Sequence, residues 1–270
     1  MKPQDYRQAE AFQAEKRTIF STEWLPVCAE AQIARPGDYL AATVGGWSIV
    51  AVRDGANTAR VLRNACRHQN MPVVGTPSGN CENFRCRFHG WTYDLAGKFL
   101  KAPAQVAPAD PHAASNDLAS LAVASAGGIL FFSLGKPAAA PALGAAIVGY
   151  GGTIVTDIAC NWKVLVEHLL REAPQAADGF TWQSPLLAVR RAGMKAIVEQ
   201  IVPQTFLRTR LFTHVFGEPI ASLGLAAGAI KEACERLQAE RASGAMVNAG
   251  NRALAAFHER LEKAYAETSP

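Results

Sequence analysis

Histidine is scarce in this chain, with six among 270 residues, and between residues 113 and 213 only His168 occurs. That stretch therefore lacks the local histidine pair from which many metal sites are built. No Cys-x-x-Cys motif is present, and no two histidines stand three to five residues apart, which removes the usual zinc-knuckle frameworks. Charged residues reach only 19%, with a net charge of +4, and no basic run or basic–aromatic interleaving occurs. Nucleic acid is thereby an improbable partner. No long apolar run survives inspection. The uncharged stretch 137–156 is interrupted by two prolines and several glycines and reads as a linker followed by a strand, not a membrane span. The first twenty residues are polar and mixed in charge, so no secretory leader is expected. No internal repeat is seen. The expectation is a cytoplasmic protein with no membrane segment and enough length for two domains.

What is present is a pair of short cysteine–histidine motifs, Cys66-Arg67-His68 and Cys86-Arg87-Phe88-His89, with seventeen residues between them. Two thiolates on one iron and two imidazoles on the other can hold a [2Fe–2S] cluster of the Rieske kind, which is easier to reduce than a four-cysteine cluster. The competing reading of the same four residues is a zinc ion, whose usual spacings are absent. Cys66, His68, Cys86 and His89 are thus the candidate metal and cofactor ligands. The other four cysteines, Cys28, Cys81, Cys160 and Cys234, have no secretory context and read as plain thiols.

The run Asn64-Ala65-Cys66-Arg67-His68, continued by Phe84-Arg85-Cys86-Arg87-Phe88-His89-Gly90-Trp91-Thr92-Tyr93-Asp94, resembles the Rieske domain of ring-hydroxylating non-haem iron oxygenase α subunits. It does not resemble respiratory Rieske proteins, which carry an extra disulfide and a serine where Trp91 stands. That difference predicts fewer hydrogen bonds to the sulfurs and a potential in the lower part of the Rieske range. The resemblance implies an α+β fold. An N-terminal helical segment (1–22) leads into an all-β Rieske domain (23–136), and a truncated, helix-grip-like catalytic-domain remnant follows (137–270). Gly45-Gly46 predicts a two-residue hairpin between strands starting near Pro36-Gly37-Asp38-Tyr39 and Trp47. Gly127-Gly128 leads into the strand that closes the Rieske domain, and residues 137–141 form a Pro/Ala linker. Asn161-Trp162-Lys163 resembles the opening of the family's catalytic domain.

In that family a carboxylate and two histidines follow Asn-Trp-Lys, and the two histidines and a distal Asp bind the iron that activates O₂. Here the carboxylate position reads Arg171, the histidine positions Pro174 and Gly179, and the Asp position Ile230. Mononuclear Fe(II) is therefore predicted absent, and no catalytic residue is assigned. The shortening is expected after Phe180. An unusual iron site from His168, Glu172 and His214 is the alternative, because His168 and Glu172 are spaced to share a helix face. His112 is expected exposed, and His214 and His258 satisfied structurally.

Residues 194–202 and 206–216 read as a hairpin turning at Pro203-Gln204. Ile230, Ala233, Cys234 and Leu237 recur at helical spacing, as do Leu254, Phe257, Leu261 and Tyr265, so two helices are expected to pack on the sheet. Arg67, Arg85 and Arg87, with Lys98, would make a basic rim able to dock an acidic ferredoxin or a flavin reductase. The resulting expectation is an electron-transfer component that serves a full-length oxygenase α subunit in a trimer or hetero-oligomer. The alternatives are an active mono- or dioxygenase with an atypical iron, and a non-catalytic structural or regulatory subunit.

Overall fold

A computed structural model describes residues 2–135, 139–144, 146–173, 179–220, 224–245 and 250–267. After a short 3-10 turn comes helix α1 (Ala9–Thr18), then strands β1 (Leu25–Ala29), β2 (Asp38–Val44), β3 (Trp47–Arg53) and β4 (Ala59–Arg63). Four short strands follow: β5 (Ser78–Asn80), β6 (Phe84–Arg85), β7 (Thr92–Tyr93) and β8 (Phe99–Lys101). Then come β9 (Ala122–Ala126), β10 (Ile129–Ser133), β11 (Tyr150–Ile158) and helix α2 (Trp162–Arg171). The chain continues through β12 (Phe180–Gln183), β13 (Leu187–Ala192), β14 (Lys195–Thr205) and β15 (Arg208–Phe216) to helices α3 (Gly224–Ala242) and α4 (Arg252–Ala266).

The N-terminal strands form small antiparallel sheets, ordered β1-β10-β9, β4-β3-β2-β5 and β6-β7-β8. The β2–β3 hairpin closes at Gly45 (φ 57°) and Gly46 (φ 84°), the paired left-handed residues of a type I′ turn. The later strands form one antiparallel sheet, β11-β15-β14-β13-β12. Its two faces have separate duties. Ala188, Ile201 and Leu211 join Trp162, Leu165 and Leu169 of α2 in one core. Leu187, Val189, Val198 and Phe216, on the reverse face, pack on Ile129 and Phe131 of β10. Alternation along each strand decides which face a residue serves.

Helix α2 starts where Asn161 accepts the Lys163 amide at 3.0 Å, a side-chain N-cap. The helix is buried almost all round, Lys163 and Glu167 included. Glu15 of α1 receives Lys163 Nζ, the Trp162 indole N–H at 2.6 Å and the Tyr265 hydroxyl at 2.5 Å. Glu167 accepts from Tyr6 and from Arg241 (3.4 Å), and its other recorded neighbour is His258 Nε2 at 2.9 Å. These bonds tie the chain's beginning and end to α2.

One expectation, the position of a turn, is corrected. The β14–β15 turn lies at Phe206-Leu207, because Thr205 pairs with Arg208, while Pro203 sits inside β14 at a bulge, where the missing N–H is tolerated. Helix α3 packs on β11 and α2, and α4 lies on α1 and α2, where its Phe257 meets Trp162 and also Trp182 at the β12 edge of the sheet. Glu172 is the exposed C-terminal cap of α2, in helical conformation, with its amide bonded to His168 O at 3.0 Å. The linker residues Pro137 and Ala138, and Pro174, lie outside the described residues.

Candidate metal centre

The four candidate ligands sit on two loops that copy one another. In the first, between β4 and β5, the Cys66 amide donates to Met71 O (2.8 Å) and the Asn70 amide donates to Cys66 O (2.7 Å). In the second, between β6 and β7, the Cys86 amide donates to Trp91 O (2.8 Å) and the Gly90 amide to Cys86 O (2.9 Å). The fourth residue after each cysteine is left-handed, Asn70 at φ 57° and Gly90 at φ 72°, and Asn and Gly are the residues that tolerate this. Asn64 clamps the first loop by accepting from the Val74 amide and donating to Val74 O, both at 2.9 Å.

These turns bring the two histidines together. The His68 and His89 rings lie 4.7 Å apart and nearly perpendicular, and His68 stacks on Trp91 at 5.4 Å with an 11° interplanar angle. Trp91 is itself held by its indole N–H, which donates to Val106 O at 2.8 Å. Both thiols are buried in the small core that also holds Trp91, Tyr93 and Phe99. Burial pushes the Cys66 thiol above its ordinary pKa, the Tyr93 contact opposing this, as is expected where no cation balances a thiolate.

The donor set fits a [2Fe–2S] cluster. His68 Nδ1 is buried and has no hydrogen-bond partner. Such an orphan is costly unless it is a ligand. Cys66 and Cys86 would hold one iron, and His68 and His89 the other. Among the described residues, no three His, Cys, Asp or Glu side chains are placed to share a single ion.

Tyr93 completes the surroundings, and spacing alone did not point to it. Its hydroxyl lies 3.2 Å from Cys66 Sγ and receives the Arg67 amide at 3.1 Å. Where Cys66 serves as a thiolate ligand, the hydroxyl is the only possible donor in this contact. Trp91 gives no bond to the sulfurs, as expected from the sequence, but one sulfur donor is present after all. The signal was available in the run Gly90-Trp91-Thr92-Tyr93, where strand alternation turns Trp91 and Tyr93 to one side.

The remaining candidates are dispersed. His214 faces β1, through Gln200, and His168 faces the opposite side of the sheet, where Arg190 perturbs it. Burial lowers the His168 pKa, while Glu172 opposes. His214 is 1% exposed, with Nδ1 2.7 Å from Thr153 Oγ1 and Nε2 2.9 Å from Gln200 Oε1. The Gln200 amide donates to Pro26 O and Val27 O, so its oxygen accepts from His214 Nε2–H. Thr153 then donates to Nδ1. Both nitrogens are consumed, and a site built from His168, Glu172 and His214 does not form. At Gly179 (φ +112°) a Cβ would come 2.5 Å from Arg191 O, so no histidine fits this backbone. Ile230 packs against the core. His112 is exposed, and the four remaining cysteines are free thiols, three buried and Cys81 half-buried.

Among the described residues, no helix is long and apolar enough to cross a membrane. A family profile, the Rieske [2Fe-2S] domain, matches residues 23–122. Benzene 1,2-dioxygenase subunit alpha of Pseudomonas putida is 36% identical over 101 residues, covering 37% of this chain and 22% of that protein. Biphenyl dioxygenase subunit alpha of Paraburkholderia xenovorans is 34% identical, with the same coverage. The matched stretch is thus about a fifth of these relatives' length. Over the whole chain the fold resembles the quaternary ammonium Rieske monooxygenase CntA (TM-score 0.79, 18% identity, 98% of this chain and 94% of that one). It also resembles naphthalene 1,2-dioxygenase (TM-score 0.60, 16% identity, 100% and 80%). The chain therefore carries a Rieske [2Fe–2S] domain homologous to that of ring-hydroxylating oxygenase α subunits, followed by an α+β region with the fold of Rieske oxygenases.

Proposed function

We propose that this chain is an electron-transfer component of a Rieske oxygenase system, taking electrons from a ferredoxin or flavin reductase and passing them to iron in a partner α subunit. The observation that carries the reading is a contrast within one chain. The ligand loops are complete, down to the unpartnered His68 Nδ1, while Gly179 and Ile230 occupy positions that hold iron ligands in the family. When bound, the cluster accepts and releases one electron at a time. The chain's own residues hold it and shield it. The paired turns fix the two cysteines, Trp91 stacks on His68, and Tyr93 directs a proton at Cys66. Around this site Arg67, Arg85, Arg87 and Lys98 are exposed, beside Phe88 at 42% exposure and Leu100 at 52%. A basic rim around apolar contacts suits an acidic redox protein.

The test begins with iron and sulfide analysis and electron paramagnetic resonance of the reduced full chain, expected to show about two irons and two sulfides per chain. Fe(II) titration and single turnover on aromatic acids and quaternary amines follow. Reduction without tight binding of further iron, and without hydroxylated or demethylated product, is expected. Stoichiometric binding of one further iron together with product would establish an active oxygenase instead.

A further inference from the structure

Helix α3 is fixed to the junction of β11 and α2 by bonds on both sides of Cys160. The Ala159 amide donates to Glu235 Oε1 at 3.0 Å, and the Asn161 amide donates to Gln238 Oε1 at 2.9 Å. Cys160 O accepts from Thr209 Oγ1 at 2.9 Å, so its backbone is held from the sheet side as well. These bonds bring Cys160 against the turn of α3 that begins at Cys234. Both cysteines are 0% exposed and belong to one core. Their thiols share a hydrogen bond, and that contact, with burial adding to it, pushes the Cys234 thiol above its ordinary pKa.

The other two cysteines outside the metal centre are placed differently. Burial and then Glu30 push the Cys28 thiol up, and burial pushes up Cys81 against the Asn83 amide. Neither shift involves a second thiol. The Cys160–Cys234 pair also stands where it can act on the rest of the molecule, since α3 carries Arg241 to the buried Glu167 of α2 (3.4 Å).

Two thiols in contact on well-bonded backbones are placed to form a disulfide. We propose that Cys160 and Cys234 are a redox latch, in which oxidation joins them and fastens α3 to the β11–α2 junction, and reduction frees it. The oxidant is a small uncharged peroxide. One thiol takes an oxygen from it as a sulfenic acid and releases a water. The second thiol displaces the remaining oxygen as another water, and the S–S bond forms. Two S–H bonds and one O–O bond are thus exchanged for one S–S bond and two waters. Burial excludes bulky and charged oxidants, and scarce thiolate slows the reaction, so the latch closes under sustained oxidation. The bridge closes the loop that runs through α2 and β12 to β15, which restricts the unfolded chain and stabilises the folded one. The latch does not depend on whether the chain activates oxygen.

The test treats the cluster-loaded full chain with diamide, a small uncharged oxidant that takes the same two hydrogens across its N=N bond. The protein is then alkylated, digested and mapped by mass spectrometry. A Cys160–Cys234 cross-link is expected, reversed by dithiothreitol, with the visible spectrum of the cluster unchanged. The urea midpoint of the oxidised chain should exceed that of the reduced chain. Cys160→Ala and Cys234→Ala should each abolish both the cross-link and the rise in midpoint. The map of the unmodified chain decides the matter even where a variant folds poorly. Both thiols still free, either one joined to a different cysteine, bleaching of the cluster ahead of the cross-link, or a cross-link that leaves the midpoint unchanged would each overturn the proposal.

Discussion

The two ligand loops and the base of α2 are both buried and polar, but they treat their polar groups in opposite ways. At α2 the carboxylates of Glu15 and Glu167 are surrounded by Lys163, Trp162, Tyr265, Tyr6, His258 and Arg241. At the loops the backbone is bonded at Cys66, Arg67, Asn70, Cys86 and Gly90, while the side chains that matter, the two thiols and His68 Nδ1, are held together with a donor atom left open. A buried network whose carboxylates are filled by donors is scaffold, even with Arg241 Nε left unpartnered. A rigid buried site with open donors is prepared for something added. His214 belongs to the first kind despite being a histidine in a cleft, because both of its nitrogens are spoken for.

The largest effect should come from breaking the open site. Cys66→Ser or His89→Ala removes one of two protein ligands from an iron, and the protein should bleach and lose its iron and sulfide. Stoichiometric zinc in protein made with ample iron and sulfur would contradict the cluster assignment.

Breaking the saturated site should destabilise without bleaching. Lys163→Met leaves Glu15 buried without its cation. Loss of one partner of a buried pair costs about 3–5 kcal/mol, read by urea unfolding of otherwise spectrally normal protein. The double change Glu15→Gln with Lys163→Met should recover part of that loss, since no uncompensated charge remains. Bleaching by Lys163→Met would show that the two regions are not separable in this way.

His214 gives a smaller, pH-dependent effect. Burial lowers its pKa from 6.5 to about 4. Above pH 6.5 neither the folded nor the unfolded state is protonated there. Below it the unfolded chain binds the proton first, so stability falls as pH drops, until about pH 4. Between pH 7 and 5 the loss should be about 2 kcal/mol. In His214→Gln the difference in unfolding free energy between these pH values should shrink by that amount, and an unchanged pH dependence would show that His214 is already protonated or exposed.

Much of this was legible in the sequence where local chemistry decides. The ligand motifs and the Gly45-Gly46 hairpin both depend on residues a few positions apart. The Pro203 turn was misplaced because proline signals a break, whereas a bulge lets it remain inside β14. The His168–Glu172–His214 alternative failed because spacing along the chain cannot say which face of a later sheet a strand residue will serve. Glu15 could not be matched with Lys163 either, since 148 positions separate them. The sulfur donor Tyr93 lay inside a motif already recognised, but its role depends on Arg67, which only the fold brings to it.

Tyr93 is the finest test of the comparison, because its hydroxyl is bonded and yet stands against a candidate cluster ligand. Its oxygen takes the Arg67 amide and its proton faces Cys66 Sγ. A hydrogen bond to a cluster sulfur stabilises the more negative, reduced state and raises the potential. Trp91 adds nothing, since its N–H is given to Val106. Tyr93→Phe keeps the ring that packs on Phe99 and removes only the hydroxyl. A bond of about 1 kcal/mol corresponds, for one electron, to a fall of about 40 mV. The measurement is a redox titration of both proteins followed by electron paramagnetic resonance, with iron content matched. A potential unmoved by the substitution would mean that the hydroxyl serves only the Arg67 amide. The potential of a cluster held by the four ligands would then owe nothing to this contact.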